Sequence, residues 1–349
     1  MAIAGLPTLV DAERAARELL PPAVWDYYAG GSGLEITVDE AVAAWQRHRL
    51  LPHVLRDVAA VTTSTTVLGT SVTSPVLVAP TAYSVMAHPE GEVATARGTA
   101  AAGSLMAVSS RCSTRLEDVA AAAAGHWWFQ VYVMRDRTLT EGLVRRAAAA
   151  GATALVLTGD TPYTGVKHRP SGALPLTDEQ SLVNVGDHLR PGVDPWLSMD
   201  QDPATTMADI AWLRELSGLP VVVKGVLRPD DALACLAAGA AGVVVSNHGG
   251  RQLDRSVTSA DALAAITTAV GDQGEVYVDG GIRDGVSVLT ALALGARAVF
   301  VGRPTIWALA AGGADGVTAM LTALTADLAH AMALAGATCP DEIDPSLVG

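Results

Sequence analysis

The residues best suited to chemistry lie in one short stretch, residues 246–254, which reads Ser-Asn-His-Gly-Gly-Arg-Gln-Leu-Asp. His248 can accept a proton near neutral pH, and Arg251 carries the planar fork of donors that binds a carboxylate. Three valines directly before the stretch, at 243–245, predict a short buried strand. The pattern therefore predicts a proton acceptor and an acid-binding group at a strand end, where they could act on a small acid. For His-Gly-Gly alone, an ordinary surface turn is the alternative.

A repeated pattern predicts the fold that positions this stretch. Alanine-rich helices end at Gly103, Gly151, Gly239 and Gly295, and each leads directly into an apolar strand. Helix, glycine stop and buried strand in succession are typical of parallel βα units. The predicted strands are residues 76–79, 105–108, 128–131, 154–157, 221–223, 243–245, 276–278 and 298–301. Eight strands of this kind close an α/β (β/α)8 TIM barrel, and the polar or glycine residues after every strand favour the same fold.

The first 70 residues differ from this pattern. They predict an N-terminal helical cap on the barrel rather than an independent domain, with helices near 11–20, 23–29 and 39–47 followed by extended chain. We assign residues 71–335 to the barrel and all 349 residues to one domain. The longest excursion, residues 165–205, is rich in Pro, Gly and Asp and predicts a mobile lid over the pocket, with a disordered insertion as the alternative.

Composition restricts the possible partners. Half of the residues are apolar and the net charge is −13, so we expect a large core and neither nucleic acid nor an anionic membrane as partner. An anionic substrate then needs a locally positive pocket. The three cysteines form no CxxC pair, no metal site is expected, and no signal segment or membrane-spanning run is evident. We expect a soluble, cytoplasmic protein with reduced thiols.

Two glycine–arginine motifs after the predicted strands seven and eight indicate a phosphate site. Asp279, Gly281 and Arg283 belong to the first motif, and Gly302 and Arg303 to the second. Glycines let backbone N–H groups approach phosphate oxygens, and arginines add charge and forked donors. The sequence has no GxGxxG after a first strand and no GxxxxGK[ST], which excludes the Rossmann and P-loop interpretations.

The run at 246–254 resembles the active-site signature of the FMN-dependent α-hydroxy-acid oxidase and dehydrogenase family, which includes glycolate, lactate and hydroxymandelate oxidases. The resemblance extends from about residue 23 to residue 336 and implies FMN as cofactor. Lys224 would supply the positive charge that stabilises the reduced ring. The implied cofactor-binding residues are Pro80, Thr81, Ala82, Ser109, Gln130, Thr158, Lys224, Ser246, Asp279, Gly281, Arg283, Gly302 and Arg303.

The resemblance also implies the roles around the substrate. His248 is the implied base and Asp160 its hydrogen-bonded partner. Arg251 and the hydroxyl of Tyr27 would hold the carboxylate, and Tyr132 would meet the substrate hydroxyl. The implied reaction is oxidation of an (S)-2-hydroxy acid to the 2-oxo acid, with electrons passing to FMN and then to O2, which gives H2O2. Relatives of this family usually form tetramers, so we expect a homotetramer.

The sequence departs from its relatives at two positions near the substrate. Lys167 occupies the position of an arginine that binds the carboxylate in relatives, with Arg169 two residues later, and lysine lacks the planar fork. Arg111 occupies the position of a bulky aromatic residue in glycolate oxidases. Lys167 and Arg111 are therefore candidate substrate-binding residues, and we expect a larger or more polar acid than glycolate, of the mandelate or 4-hydroxymandelate type.

Three other functions remain open from the sequence. A dehydrogenase would use a quinone or another acceptor in place of O2. An FMN barrel isomerase or lyase is a second possibility, although His248 with Arg251 argues against it. A flavin-binding protein without catalysis is the third, because the arginine after strand four is missing.

Overall fold

Three helices form the N-terminal cap in this computed structural model, which describes residues 9–125, 127–169 and 172–349. They are α1 (Leu9–Leu19), α2 (Pro22–Ala29) and α3 (Ile36–Gln46), close to the predicted positions. Proline cannot continue a helix but suits its first turn, so Pro21 and Pro22 separate α1 from α2. Helix α2 brings Tyr27 and Tyr28 to the barrel, where both contribute to the cavity described below.

A two-stranded hairpin follows the cap, where the sequence predicts only extended chain. Strands β1 (Thr65–Val67) and β2 (Thr70–Val72) are antiparallel and joined by Leu68 and Gly69, both with positive φ. Such turns match the twist of a hairpin. Val67 and Val72 pack against the apolar side chains inside the barrel. The hairpin therefore closes the end of the barrel opposite the predicted site.

Eight parallel strands close the barrel, which confirms the predicted fold and all eight strand positions. Strand β10 pairs with β3, so the sheet has no free edge. Interior side chains such as Trp128, Tyr277 and Phe300 fill the lumen, and a second apolar layer lies between strands and helices. Burial on both faces explains why the strands read as continuous apolar runs. The strands are β3 (Val76–Val78), β4 (Met106–Ser109), β5 (Trp127–Val131), β6 (Leu155–Thr158), β7 (Val221–Val226), β8 (Gly242–Val245), β9 (Glu275–Asp279) and β10 (Ala298–Val301).

The helices that follow the strands form the outer layer, apart from two short helices between β6 and β7. They are α4 (Gly91–Ala101), α5 (Leu116–Ala122), α6 (Arg137–Ala149), α7 (Asp178–Leu182), α8 (Pro195–Met199), α9 (Ala208–Ser217), α10 (Pro229–Ala237), α11 (Ser259–Val270), α12 (Gly285–Ala293) and α13 (Arg303–Ala335).

Helix α13 is long and apolar. Among the described helices it is the one whose length and composition would suffice to cross a membrane, but 44% of its most apolar window is buried inside the fold. Gly312 and Gly313 have non-helical backbone angles and interrupt the helix. These are features of a core helix, and α13 packs against α1, α4 and α12.

The predicted lid, residues 165–205, contains α7 and α8 and lies against the loops after β4 and β5. The side chain of Asn184 accepts a hydrogen bond from the Leu116 N–H (2.9 Å) and donates to the Thr114 carbonyl (2.8 Å). The Arg135 N–H donates to the Asp200 carbonyl at 2.8 Å. These contacts argue against a loosely attached insertion, whereas mobility of the lid stays a prediction. Residues 170 and 171 of the lid lie outside the described residues.

Candidate active site

A cavity of about 880 Å3 lies at the carboxyl ends of the barrel strands. The wall of the cavity is formed by the cap, by the loops that follow the strands, and by the lid. Of the residues predicted for the site, Asp160 and Ser246 do not line the cavity, but each contacts a residue that does. The predicted residues that line it are Tyr27, Pro80, Thr81, Ala82, Ser109, Arg111, Gln130, Tyr132, Thr158, Lys167, Lys224, His248, Arg251, Asp279, Gly281, Arg283, Gly302 and Arg303.

His248 lies on a tight turn directly after β8. Its Nδ1 is 3.0 Å from Asp160 Oδ1, and its Nε2 is 3.5 Å from the Tyr132 hydroxyl. An ionised carboxylate only accepts hydrogen bonds, so Nδ1 carries the proton of the neutral ring and Nε2 is left as the acceptor. The Ser246 hydroxyl accepts a hydrogen bond from the His248 N–H at 3.0 Å. The imidazole is thereby fixed with its basic nitrogen beside Tyr132.

Asp160 is held as a carboxylate although it is largely buried. Burial raises its pKa, but the positive charge and hydrogen bond of His248, together with the charge of Lys224, outweigh burial and lower it. Asp160 Oδ2 is buried without a hydrogen-bond partner among the described residues. The negative charge of Asp160 is therefore directed towards His248, where it stabilises the imidazolium.

Two glycines make this arrangement sterically possible. Gly225 lies at an irregularity in β7 with φ of 102°, and a Cβ atom there would lie 2.5 Å from Asp160 Cγ. Gly250, the second glycine of the signature, has φ of 72°, and its Cβ atom would lie 2.6 Å from Val38 Cγ2 in α3. Glycine is needed at Gly225 to admit Asp160 and at Gly250 to admit the cap helix.

Arg251 and Tyr27 lie together at the cap side of the cavity. Arg251 Nη1 donates to the carbonyls of Tyr27 (2.6 Å) and Gly30 (3.1 Å), and its guanidinium lies 5.1 Å from the centre of the Tyr27 ring. Burial raises the pKa of Tyr27 to about 12, and burial does the same for Tyr132. Both hydroxyls are therefore protonated at neutral pH and can donate hydrogen bonds to a bound acid.

Lys167 and Arg169 are the two residues that could replace the carboxylate-binding arginine of the relatives. Their surroundings in the structure differ. Arg169 forms ion pairs with Glu35 (2.6 Å) and Asp26 (3.1 Å), both from the cap. Lys167 Nζ instead donates to the Arg251 carbonyl. Partial burial and the charges of Arg251 and Arg303 lower the pKa of Lys167 to about 8. Lys167 is thus the cation near Arg251 that remains available to a substrate carboxylate.

Arg111 lies in the cavity wall rather than in open solvent. Its guanidinium donates to the carbonyl of Met199 in α8, and its backbone N–H donates to the Ser109 hydroxyl at 3.1 Å. Its positive charge lowers the pKa of both Tyr27 and Tyr132, against the larger effect of burial. Arg111 therefore connects the loop after β4 to the lid and lies near the two tyrosines.

Gln130 organises one polar edge of the cavity. Its Oε1 accepts hydrogen bonds from the Ser109 hydroxyl and the Ser110 N–H, both at 3.2 Å, and its Nε2 donates to the Thr158 hydroxyl at 2.9 Å. Ser109 and Thr158 end β4 and β6, and Gln130 is the next-to-last residue of β5. The sequence resemblance places them at the polar edge of the flavin ring, and their shared network agrees with one polar ligand face.

Lys224 is a buried cation on β7, next to Thr158 of the adjacent strand β6. It is 5% exposed, and its Nζ lies 2.9 Å from the Ser246 hydroxyl and 3.0 Å from Asp279 Oδ2. Asp279 Oδ1 is buried without a partner among the residues described. A buried polar atom without a partner is costly, so Asp279 Oδ1 favours a ligand with a donor, such as the ribityl hydroxyls of FMN.

Two half-buried arginines lie at the end of the cavity where the phosphate is expected. Burial lowers the pKa of Arg283, and burial with the charges of Arg251 and Arg283 lowers that of Arg303 to about 9. Neither has an ion-pair partner in the part of the chain that the structure describes. Arg303 also donates to the carbonyls of Tyr28 (2.9 Å) and Gly249 (2.9 Å). The negative charge of a bound phosphate would balance the positive charges of Arg283 and Arg303, so these residues fit FMN.

Sequence reasoning missed two residues that support the site. Gln252 lies within the signature, and its Nε2 donates to the carbonyls of Asp160 and Tyr163, both at 2.9 Å. Glu92 is fully buried in α4 and accepts hydrogen bonds from the Ser84 N–H (2.8 Å) and the Ser113 hydroxyl (3.0 Å). It thereby connects the loops after β3 and β4. Gln252 could have been found from its place in the signature, whereas no local signal indicates Glu92.

Comparisons with known proteins agree with this geometry. Residues 16–349 match the family model described as FMN-dependent dehydrogenase. The chain is 41% identical to an L-lactate oxidase of a Nostoc species, over 99% of both chains. It is 40% identical to 2-hydroxyacid oxidase 1 of Homo sapiens, over 98% of this chain and 97% of the relative. A crystal structure of mandelate oxidase with (S)-4-hydroxymandelic acid has a TM-score of 0.89 at 41% identity and covers 98% of each chain.

Proposed function

Because the chain belongs to the FMN-dependent hydroxy-acid oxidase family, we propose that it oxidises an (S)-2-hydroxy acid with an aryl side chain, of the mandelate or 4-hydroxymandelate type. The product is the 2-oxo acid, and O2 is the final electron acceptor and gives H2O2. One observation carries the proposal: the basic Nε2 of His248 faces the cavity beside Tyr132, with Arg251 on the same turn.

The proton of the substrate hydroxyl passes to His248 Nε2. Asp160 lies 3.0 Å from Nδ1 and stabilises the resulting imidazolium. Tyr132, protonated at neutral pH, donates a hydrogen bond to the substrate oxygen as negative charge develops there. FMN, the cofactor of the family, would when bound take up the hydride (two electrons and one proton) that leaves the substrate carbon, as the hydroxyl proton goes to His248.

The carboxylate of the acid is held on the cap side of the cavity. Arg251 supplies the forked donors, Lys167 a second positive charge, and Tyr27 a hydroxyl donor. Because lysine binds carboxylate as a point charge, the geometry is set mainly by Arg251 and Tyr27. This orients the hydroxyl-bearing carbon towards His248, which is the positioning that the reaction needs.

The preference for an aryl acid is supported by the wall opposite the carboxylate. Arg111 stands where glycolate oxidases carry a bulky aromatic residue and bonds the Met199 carbonyl in the lid. Lid residues Leu174 and Trp196 line the same cavity and offer apolar surface to a ring. The solved relatives named mandelate oxidase are 98% covered by this chain, which adds support for an aromatic substrate.

Spectroscopy of the purified holoenzyme tests the proposal. Anaerobic (S)-mandelate should bleach the oxidised FMN spectrum, and air should restore it with one equivalent of H2O2 per turnover. The controls are (R)-mandelate, which should leave the spectrum unchanged, and glycolate, which should react more slowly. Bleaching without prompt return in air would indicate a dehydrogenase, and equal rates with glycolate and mandelate would contradict the aryl preference.

We propose further that the enzyme is a cytoplasmic homotetramer. Its substrate is a small acid, and it binds neither nucleic acid nor a membrane. The acidic net charge of −13 supports the exclusion of nucleic acid and anionic membranes as partners, and the family resemblance supports the tetramer. Light scattering of the eluted holoenzyme should give four times the chain mass, and a monomer mass would contradict it.

A further inference from the structure

The cavity contains more positive charge than one flavin phosphate and one carboxylate require. Three carboxylates line it, Asp26, Asp200 and Asp279, although the whole chain is acidic. The cations that line it are Arg111, Lys167, Arg169, Lys224, Arg251, Arg283 and Arg303.

Most of these cations have a partner or an assigned role. Asp26 pairs with Arg169, and Asp279 pairs with Lys224. The two arginines after β9 and β10 lie at the expected phosphate, and Arg251 with Lys167 lies at the reacting carboxylate. The one cation left over is Arg111.

No carboxylate of the described residues neutralises Arg111. It forms no ion pair within the described residues, and Asp200, next to its hydrogen-bond acceptor Met199, pairs instead with Arg135 at 3.5 Å. Among the described residues, its guanidinium donates to that one carbonyl, and a guanidinium has five N–H donors. A half-buried arginine whose guanidinium N–H groups are not all paired favours an anionic ligand that can accept their hydrogen bonds.

Arg111 and Arg251 start from opposite sides of the barrel mouth. Arg111 follows β4 and Arg251 follows β8, and these two strands are four places apart in the closed ring of eight. The charges of both arginines lower the pKa of Tyr27 and of Tyr132, which burial raises. The carbonyl of Arg111 accepts from the Tyr83 N–H at 3.1 Å, which fixes this loop beside the cavity. The pocket thus has two positive ends with the reacting hydroxyl site between them.

We propose that Arg111 forms a distal anion subsite and that the preferred substrate is a 2-hydroxy acid with a second carboxylate at its far end. Arg251 and Lys167 bind the carboxylate next to the reacting carbon, and Arg111 binds the other one beneath the lid. The inference rests on the proposed function, which it makes more specific: the aryl acid carries an anionic ring substituent. Arg111 is then a specificity-determining residue.

Matched substrates test the subsite in the holoenzyme. (S)-4-Carboxymandelate and (S)-4-methylmandelate have similar size and differ in distal charge. We expect kcat/KM to be about 10- to 100-fold higher for the carboxylate, mainly through KM, since the contact is made equally before and during the reaction. Arg111→Met should remove this preference and Arg111→Lys should retain part of it. Arg115→Met, in the same loop but exposed, should leave the preference intact.

Binding of unreactive analogues gives a second measurement. The dissociation constants of 4-carboxyphenylacetate and 4-methylphenylacetate, read from perturbation of the flavin spectrum, should differ by a similar factor in the wild type and be equal in Arg111→Met. A merely structural contact between Arg111 and the lid would change both constants together and leave their ratio unchanged.

The outcomes separate the two proposals. A wild-type ratio of one or less, or a preference that survives Arg111→Met, would overturn the subsite while mandelate oxidation stands. If (S)-mandelate, its 4-methyl derivative and its 4-carboxy derivative all fail to reduce the flavin, the proposed function falls and the subsite falls with it.

Discussion

Asp160 lies 3.0 Å from His248 Nδ1, and in the proposed mechanism it acts on the reaction through this hydrogen bond. That bond fixes the ring tautomer and places a negative charge where the imidazolium forms. The cost of burying Asp160 is offset by His248 and Lys224, which lower its pKa overall. In the proposed mechanism Asp160 therefore positions His248 and balances its charge, and it is not the base.

Asp160→Asn tests this role at the residue scale. Asparagine keeps the size of the side chain but supplies no charge, so we expect flavin reduction to slow about 10²- to 10⁴-fold, as when the partner of a catalytic histidine is neutralised. Stopped-flow absorbance under anaerobic conditions measures this rate, with FMN content as the control. A change below about threefold would show that the charge of Asp160 is not used.

Lys167 gives the site a pH dependence whose sign follows from its lowered pKa. Partial burial, with Arg251 and Arg303, lowers the pKa to about 8, so the ammonium is charged below pH 8 and neutral above it. Carboxylate binding should weaken as pH rises through 8. We expect KM to rise about two- to fivefold between pH 7 and pH 9, a modest effect because the side chain is partly exposed.

Two variants of Lys167 serve as controls for this pH effect. Lys167→Met should have a raised KM at pH 7 and no step near pH 8, and Lys167→Arg should keep a low KM at pH 9 because arginine stays charged. A KM step near pH 8 that persists in Lys167→Met would assign the titration to another group.

At the scale of elements, the irregularity in β7 decides whether Asp160 can approach His248. Gly225 has φ of 102°, and an added Cβ atom would lie 2.5 Å from Asp160 Cγ. Strands β6 and β7 are joined by their ladder of hydrogen bonds, and Gly225 in β7 also leaves the space that Asp160, after β6, occupies beside His248. The same arrangement keeps Lys224, the neighbouring residue, at Asp279.

Gly225→Ala should displace Asp160 and slow flavin reduction at least about tenfold, together with a stability loss of about 1–2 kcal/mol from a left-handed alanine. Gly218 is the matched control, since it has φ of 72° and no atom within 4 Å of an added Cβ. Gly218→Ala should lose similar stability and keep the wild-type rate. Equal rates in both variants would contradict the positioning role of Gly225.

The elements were largely predictable because their signals are local. Burial on both faces makes the barrel strands continuous apolar runs, and glycine ends the helices before them. The hairpin at Leu68 and Gly69 was missed because its strands have three residues each, too few for a periodic signal. Gln252 could have been found from its place in the signature, whereas Glu92 and Gly225 act through contacts between distant segments, which the order of residues does not reveal.

At the scale of the whole molecule, the cap, barrel and lid bring positive charge together in an acidic protein. Burial and the positive charge of Arg283 lower the pKa of Arg303, so the charged form of Arg303 is unfavourable here until an anion is present. Arg303 also donates a hydrogen bond to the Tyr28 carbonyl of the cap. Binding of the cofactor phosphate should therefore stabilise the assembled fold as well as the site. The predicted site residues converge because each follows a different strand at the same end of the barrel.

FMN and riboflavin separate the contribution of the phosphate. At a concentration 100 times its Kd, FMN should raise the free energy of unfolding of the apoprotein by about 2.7 kcal/mol. At the same concentration riboflavin should stabilise less, because it lacks the group that pairs with Arg283 and Arg303. Urea unfolding measures both values, and Arg303→Met should reduce the difference. Equal stabilisation by the two flavins would place the phosphate elsewhere.

The most direct test of the central claim is anaerobic reduction of bound FMN by (S)-mandelate, in the wild type and in His248→Ala. The wild-type spectrum should bleach, while the variant should retain FMN and be reduced about 10²- to 10⁴-fold more slowly, because no other group at this position can take the hydroxyl proton. A His248→Ala variant that is reduced at the wild-type rate would contradict the mechanism, and a wild type that holds FMN but never bleaches would contradict the substrate class.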